Sequence, residues 1–385
     1  MTRFFGWIAV LVLMVGCSVD VTVPEIDPAL YNVTDQQATE YGKKFAWEMT
    51  LDPVEKYVSL VDRDEILRGL KDAQDCGRIT AIEFRTLVRE FSSPRQMDSL
   101  RGGMRERASR ELVGIQCDFI GLKKGNDGKT KVVFRNLPAD GGVNYMIQTC
   151  RMVDDGTVIG SNPELPHMGG TLVDGILDLM ILGLRESAGG KDSDLRKVSE
   201  WGNQGNFQRI VQYMGYEHPE CLGKSRTMDM LYVVAAAKLW EQVDFEDPQV
   251  QQKYLRAVDV FRKNWPDTTS LGCEVLMLDV YAIRGNRTEF FNAIQVIRKE
   301  VGDDPYLTYL ESCFLVSADE YDQGLEYAMK AKEQGLKVLD LYAVILYLKA
   351  NAGASEAELE SILQEVRESF GPDEERSLRS DLQMP

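Results

Sequence analysis

Two neighbouring stretches decide the fold class: Lys129–Leu137, KTKVVFRNL, and Val143–Val153, VNYMIQTCRMV. Both alternate apolar and polar residues with period two, the pattern of strands. Turn-forming triplets bound them: Asn126-Asp127-Gly128, Asp140-Gly141-Gly142 and Asp154-Asp155-Gly156. Such triplets supply the backbone freedom that tight turns need. A small antiparallel sheet is therefore expected from about Lys123 to Gly160. Everything outward from it has helical periodicity, so the expected class is α+β, mostly α.

On the N-terminal side, four segments between Asp35 and Ile115 read as helices. TDQQATEYGKKFAWEM (34–49) has Thr34 or Asp35 as its cap and Tyr41, Phe45 and Met49 on one face. VDRDEILRGLKDAQDCGR (61–78) is capped near Asp62 or Asp64 and stops at Gly77. ITAIEFRTLVREF (79–91) has Thr80 three residues before Glu83, a capping-box signature. PRQMDSLRGGMRERASRELVGI (94–115) is a longer, charged helix weakened by Gly102 and Gly103.

On the C-terminal side, TLVDGILDLMILGL (171–184) is strongly apolar, and SAGGKDSD (187–194) reads as a loop at a domain boundary. From Thr227 to Phe370 the helices come in pairs. The last three pairs start near Leu271, Pro305 and Lys337, at spacings of 34 and 32 residues. Units of that length cannot bury their apolar faces alone, so neighbours must stack. YDQGLEYAMKAKEQGL (321–336) is similar to the second helix of a tetratricopeptide repeat, with Gly324, Ala328 and Ala331 at its small-residue packing positions. A C-terminal α-solenoid of helix hairpins is the expectation.

The formal charge is −17. That argues against a nucleic-acid partner and against electrostatic docking on anionic lipid. At the N-terminus, Arg3 precedes an uncharged apolar run from Phe4 to Val15, too short to span a bilayer and of signal-peptide length. It ends in LMVGCS (13–18), which resembles a bacterial lipobox. The resemblance implies that Cys17 is acylated, palmitate being one chain type, and becomes the first mature residue. Ser18 at the next position implies sorting to the outer membrane, facing the periplasm. More than one acyl chain gives a stable anchor.

Setting Cys17 aside leaves six cysteines: Cys76, Cys117, Cys150, Cys221, Cys273 and Cys313. An even number in an oxidising compartment permits disulfides. Cys117 and Cys150 flank the strands, and Cys273 and Cys313 lie on first helices of adjacent hairpins, so at least one bridge within these two pairs is expected. Catalytic signatures are sparse. CxxC, GxSxG and HExxH motifs are missing, and His167 and His218 read as loop histidines. No cofactor or metal is expected.

One resemblance covers roughly residues 37 to 184. YGKKFAWEM (41–49) together with VDRDEILRGLKDAQDCGRITAIEFRTLVREF (61–91) resembles the helical N-terminal domain of periplasmic FKBP-type prolyl isomerases. The order continues with MRERASRELVGIQCDF (104–119) where that family has a linking helix and first strand. YMIQTCRMVDDGTVIGSNPELP (145–166) and GGTLVDGILDL (169–179) follow where its strand, Asp-Gly turn and pocket helix lie. The resemblance implies a helical domain of 35–116 and a degenerate sheet module of 117–190. Aligned on Asp155-Gly156, the family's pocket Tyr falls on Thr149, its Phe on Ile159, its Asp on Gly160 and its floor Trp on Ile176. Leu172 and Val173 stand near its Val-Ile pair. Loss of four pocket residues implies that isomerase catalysis does not carry over.

The expected organisation is a signal peptide (1–16), a tether (17–34), these two modules, a linker (191–226), the helical repeats (227–371) and a tail (372–385). The expected function is a non-enzymatic scaffold or chaperone-like lipoprotein that binds other proteins or extended peptides. It is held to the membrane by its lipid and is open to homodimerisation through the N-terminal helices. A weak peptidyl-prolyl cis-trans isomerase is the alternative.

Overall fold

A computed structural model describes residues 23, 25–139, 142–165, 170–188, 194–243, 247–266 and 270–381. The class is α+β, mostly α, with one small antiparallel sheet. The chain divides into two compact units between Leu276 and Met277. Cys17 with its lipobox, the loop 189–193 and His167 lie outside the described residues.

The first unit opens with five helices: α1 (Asp35–Leu51), α2 (Pro53–Ser59), α3 (Arg63–Asp75), α4 (Ala81–Phe91) and α5 (Pro94–Glu111). Their starts follow local chemistry. Thr34 caps α1 in a capping box with Gln37, and Thr80 caps α4 in one with Glu83. Asp62 caps α3 by accepting from the amides of Asp64 and Glu65. Each such cap stabilises its helix by about 1 kcal/mol.

The sheet follows as β1 (Gln116–Lys124), β2 (Thr130–Leu137), β3 (Asn144–Met152), β4 (Val158–Leu165) and the two-residue β5 (Gly170–Thr171). It is an antiparallel meander in chain order. Phe134 stands opposite Phe119 on β1 and Met146 on β3. α1 lies across β1 and β2, with the Phe45 and Phe134 ring centroids 4.8 Å apart. Full burial of rings of this kind contributes about 1.5–3 kcal/mol each.

The remaining elements of this unit are α6 (Leu172–Ala188), α7 (Asp194–Asn203), α8 (Phe207–Gln212), a π turn (Tyr213–Glu217), a 3-10 turn (Pro219–Cys221), α9 (Arg226–Gln242) and α10 (Pro248–Asn264). α6 packs on α3, α4, β4 and α9. At Gly69 on α3, an added Cβ would lie 2.8 Å from both Leu177 and Val173. A larger residue at this close approach would force Leu177 and Val173 to shift. One apolar core runs without interruption from Val33 to Ile181 through helices and sheet.

That core corrects several expected boundaries. The segments 35–116 and 117–190 are one body, because α1 covers the sheet. The tether ends early: Pro28–Tyr31 forms a 3-10 turn beside β3, and Val33 is buried in the core. The linker 191–226 is helical over much of its length. The first hairpin, α9 and α10, belongs to this unit because α9 packs on α6 and α8. The division therefore falls at residue 276, inside α11 (Ser270–Ile283), and not at 226.

The second unit continues with α12 (Arg287–Val301), α13 (Pro305–Ser317), α14 (Tyr321–Glu333), α15 (Leu339–Asn351), α16 (Glu356–Ser369) and α17 (Pro372–Asp381). From α13 onward each helix packs on the next. Gly324, Ala328 and Ala331 are buried on α14. A Cβ on Gly324 would lie 2.8 Å from Val316, and the Ser312 hydroxyl donates to the Gly324 carbonyl at 2.7 Å. Small residues thus set the spacing of this hairpin, as its sequence suggests. The expected tail is largely α17, which buries Leu378 and pairs Arg379 with Glu360 and Glu375.

Candidate functional site

The six positions aligned with an isomerase pocket fall on β3, β4 and the start of α6. Thr149 pairs with Lys131 and Ser161, Ile159 with Arg151, and Gly160 with Cys150. Leu172, Val173 and Ile176 are buried in the core, Val173 beside Gly69 of α3. Asn162, at a positive φ of 36°, accepts from the Val173 amide at 3.2 Å and so ties α6 to β4.

Gly160 is the informative position. The space beside it is occupied by Gln148 and by Tyr41, which reaches across from α1. The Tyr41 hydroxyl donates to Gln148 Oε1 at 2.6 Å, and Gln148 is fully buried. Burial raises the Tyr41 pKa far above its ordinary value, so this hydroxyl stays protonated and acts as a fixed donor. A proline ring would need a flat apolar floor and an open approach. Here the floor position is Ile176, only 9% exposed, and the polar position is filled by the protein's own Tyr41–Gln148 pair.

Among the described residues none of the expected disulfides is seen. Cys117, Cys150 and Cys313 are free thiols, as are Cys76 and Cys221. Cys117 is opposite Asn136, which is opposite Asn144, six residues from Cys150 on β3. Two strand spacings of about 4.8 Å and about 20 Å along the strand separate the two cysteines. A bridge requires Cα atoms within about 7 Å. Burial pushes the thiols of Cys117, Cys150 and Cys221 up to about 12 and that of Cys313 up to about 11. They behave as small hydrophobes, not nucleophiles. The Cys273 side chain lies outside the described residues.

A second arrangement has no sequence motif behind it. Asp229 on α9 is fully buried, accepts twice from the Gly223 amide (2.9 and 3.1 Å), and also accepts from Asn264 Nδ2 at 2.7 Å and Trp265 Nε1 at 2.9 Å. It clamps the loop before α9 to the end of α10. Burial nevertheless raises its pKa. Beside this clamp, the π turn and α10 enclose a cleft of about 220 Å³ lined by Gly215, Leu222, Tyr232, Arg256, Val260 and Lys263, among others. Arg256 donates to the Gly215 carbonyl at 3.0 Å and lies 4.5 Å from the Tyr216 ring centroid. Tyr232 is 1% exposed, and its hydroxyl has no hydrogen-bond partner. The only sequence signal was the i, i+4, i+7 spacing of Arg256, Val260 and Lys263 on one helical face. His218, in the adjoining turn, packs tilted against Tyr213, ring centroids 4.4 Å apart, and contacts Glu220.

Among the described residues, no group of three or more His, Cys, Asp or Glu side chains is placed to hold a metal ion. No helix among them is long and apolar enough to cross a membrane. Comparison with protein-family models, with curated proteins and with solved structures finds no match for this chain.

Proposed function

We propose that the protein is an outer-membrane-anchored periplasmic lipoprotein that acts as a non-enzymatic scaffold or chaperone-like factor for other proteins or extended peptides. In this reading residues 37–184 descend from a periplasmic FKBP-type prolyl isomerase whose pocket has been lost, and the C-terminal hairpins are tetratricopeptide-like. The observation that carries it is the Tyr41–Gln148 pair beside Gly160. Barrier lowering for amide rotation, about 18–20 kcal/mol uncatalysed, needs a pocket that can hold the twisted amide. Here protein side chains occupy that place. Stacked hairpins such as α13 to α16 provide extended surfaces suited to polypeptide partners. The anchor rests on LMVGCS alone. In this reading the homodimer forms through the N-terminal helices, where Trp47 and Leu51, one turn apart on α1, are 64% and 63% exposed.

Two measurements test the proposal. A coupled assay on a proline tetrapeptide should show no acceleration of cis-to-trans exchange by the full-length protein. Periplasmic crosslinking followed by recovery of tagged protein should capture specific partner proteins. Exchange far above the uncatalysed rate that Ile176→Asp abolishes would establish the isomerase instead.

A further inference from the structure

We infer that the cleft between the π turn and α10 binds an organic carboxylate whose carbon part is small and apolar. The inference is independent of the scaffold reading.

The donor inventory comes first. Tyr232 lines the floor, and its buried hydroxyl, lying against Gly215, has no partner. A buried hydroxyl left unpaired costs about 1–3 kcal/mol, so an acceptor admitted to it by a shift of the π turn at Gly215 recovers that cost. Arg256 lies near enough to oppose the rise that burial causes in the Tyr232 pKa, which still reaches about 12. At neutral pH the hydroxyl is therefore a donor. Arg256 uses one N–H on the Gly215 carbonyl, and a guanidinium carries five. Lys263 adds an ammonium at the rim.

The charge balance comes second. Neither Arg256 nor Lys263 pairs with a carboxylate among the described residues. In a chain of net charge −17, two cations at one cleft without a counter-ion are unusual company. The one nearby buried acid, Asp229, is already engaged by Gly223, Asn264 and Trp265. A neighbouring cleft lined by Arg209 and Lys253 is larger, about 340 Å³, but its arginine is paired with Glu217 at 2.6 Å. Of these two clefts, the smaller offers unpaired positive charge near an unpaired buried donor.

Shape and chemistry then select the ligand. Three side-chain donors, Tyr232, Arg256 and Lys263, with the Asn264 amide already given to Asp229, and no side-chain anion in the lining call for an acceptor-only group. Leu222, Val260 and the Tyr232 ring give apolar walls. The volume is below the range of about 300–1,000 Å³ for drug-sized ligands, which suits a carboxylate on a few carbons. Two sources share that chemistry: a free small acid, or the C-terminal residue of a peptide.

Isothermal calorimetry on the full-length protein separates them. The probes are isovalerate, acetyl-Gly-Gly-Leu, the same peptide as its C-terminal amide, and inorganic phosphate. Binding of isovalerate or of the free-acid peptide, but not of the amide, is expected. Binding by the peptide alone assigns the source as a chain terminus. Tyr232→Phe and Lys263→Gln should each weaken that binding roughly five- to tenfold, and Lys263→Gln should also flatten its salt dependence. Neither variant should unfold the protein, since the hydroxyl has no partner and Lys263 is exposed. Thermal melting of both variants checks this. The inference is overturned by equal binding of acid and amide, by phosphate binding without carboxylate binding, by affinities unchanged in both variants, or by no heat from any carboxylate at about 10 mM.

Discussion

The Tyr41 hydroxyl donates a 2.6 Å hydrogen bond to Gln148, 107 residues away, and the pair takes the space that a side chain on residue 160 would need. One contact thus joins helix to sheet and fills the space beside Gly160. It makes the scaffold reading a statement about packing as well as about missing residues.

Gly160→Ala is expected to destabilise the first unit by about 1–3 kcal/mol, because its Cβ would overlap Gln148 and Tyr41. Tyr41→Phe removes the donor and leaves Gln148 Oε1 buried without it, a loss of similar size. Urea unfolding followed by circular dichroism measures both. Wild-type stability in either variant would mean that the pair does not hold helix and sheet together.

How much of this was legible beforehand depends on the range of the interaction. Thr34–Gln37, Thr80–Glu83 and Asp62 act within one helical turn, and the helix starts could be read from them. The period-two runs of β2 and β3 were equally plain. Coverage of the sheet by α1 was not, since it depends on Phe45 meeting Phe134 and Tyr41 meeting Gln148. Chain segments so distant leave no local pattern. The cysteine pairing failed for the same reason: strand register places Cys117 and Cys150 apart. The cleft at Tyr232 escaped because its donors come from two helices, and its wall from a π turn.

Arg185 near the end of α6 pairs with Glu83 at the start of α4, at 2.7 Å. The hydrogen bond from Arg185 holds the Glu83 carboxyl down to about 2. A carboxylate with a depressed folded pKa contributes stability above its unfolded value of about 4.3 and loses it as pH falls toward 2. Arg185→Gln should therefore cost about 0.5–1 kcal/mol at pH 7 and less near pH 2, where the bond from Arg185 to the Arg78 carbonyl is the main loss left. Denaturant titrations at both values decide, and a cost independent of pH would assign the contact to packing.

Asp229 has the opposite sign. Burial raises its folded pKa, so the charged form opposes folding, and that penalty eases as pH falls through the raised value. Its hydrogen bonds still make it structural. Asp229→Ala would strand Gly223 N, Asn264 Nδ2 and Trp265 Nε1 and is expected to cost about 3 kcal/mol. The Trp265 emission should shift to the red as its indole N–H meets water. A variant with unchanged melting and emission would show that the clamp contributes nothing.

In the second unit, Ala331 is fully buried on α14. Ala331→Trp must displace neighbours in a hairpin whose spacing Gly324 and Val316 already set at contact distance. Overpacking of this kind costs about 1–3 kcal/mol or more. Limited proteolysis of the full chain should then cut preferentially between 277 and 381. Protection equal to wild type would refute the assigned hairpin packing.

The cysteines give the last test, one that also bears on the compartment. Cys117 and Cys150 are buried free thiols held too far apart to join, and Cys313 is a free thiol as well. Protein recovered from an oxidising compartment should keep them reduced, since oxidation needs access and a thiolate. With the Cys117, Cys150 and Cys221 thiols at about 12 and Cys313 at about 11, the thiolate fraction at pH 7 is on the order of one in ten thousand or less. Native protein should therefore alkylate slowly at these four positions, and quickly at the exposed Cys76. After denaturation without reductant, all five should alkylate fully, as peptide mapping by mass spectrometry would show. A peptide carrying Cys117 linked to Cys150 would require a different strand register. Cys17→Ser, run in parallel, should abolish fatty-acid labelling and membrane fractionation. If labelling persists in that variant, the lipobox assignment falls while the thiol chemistry stands.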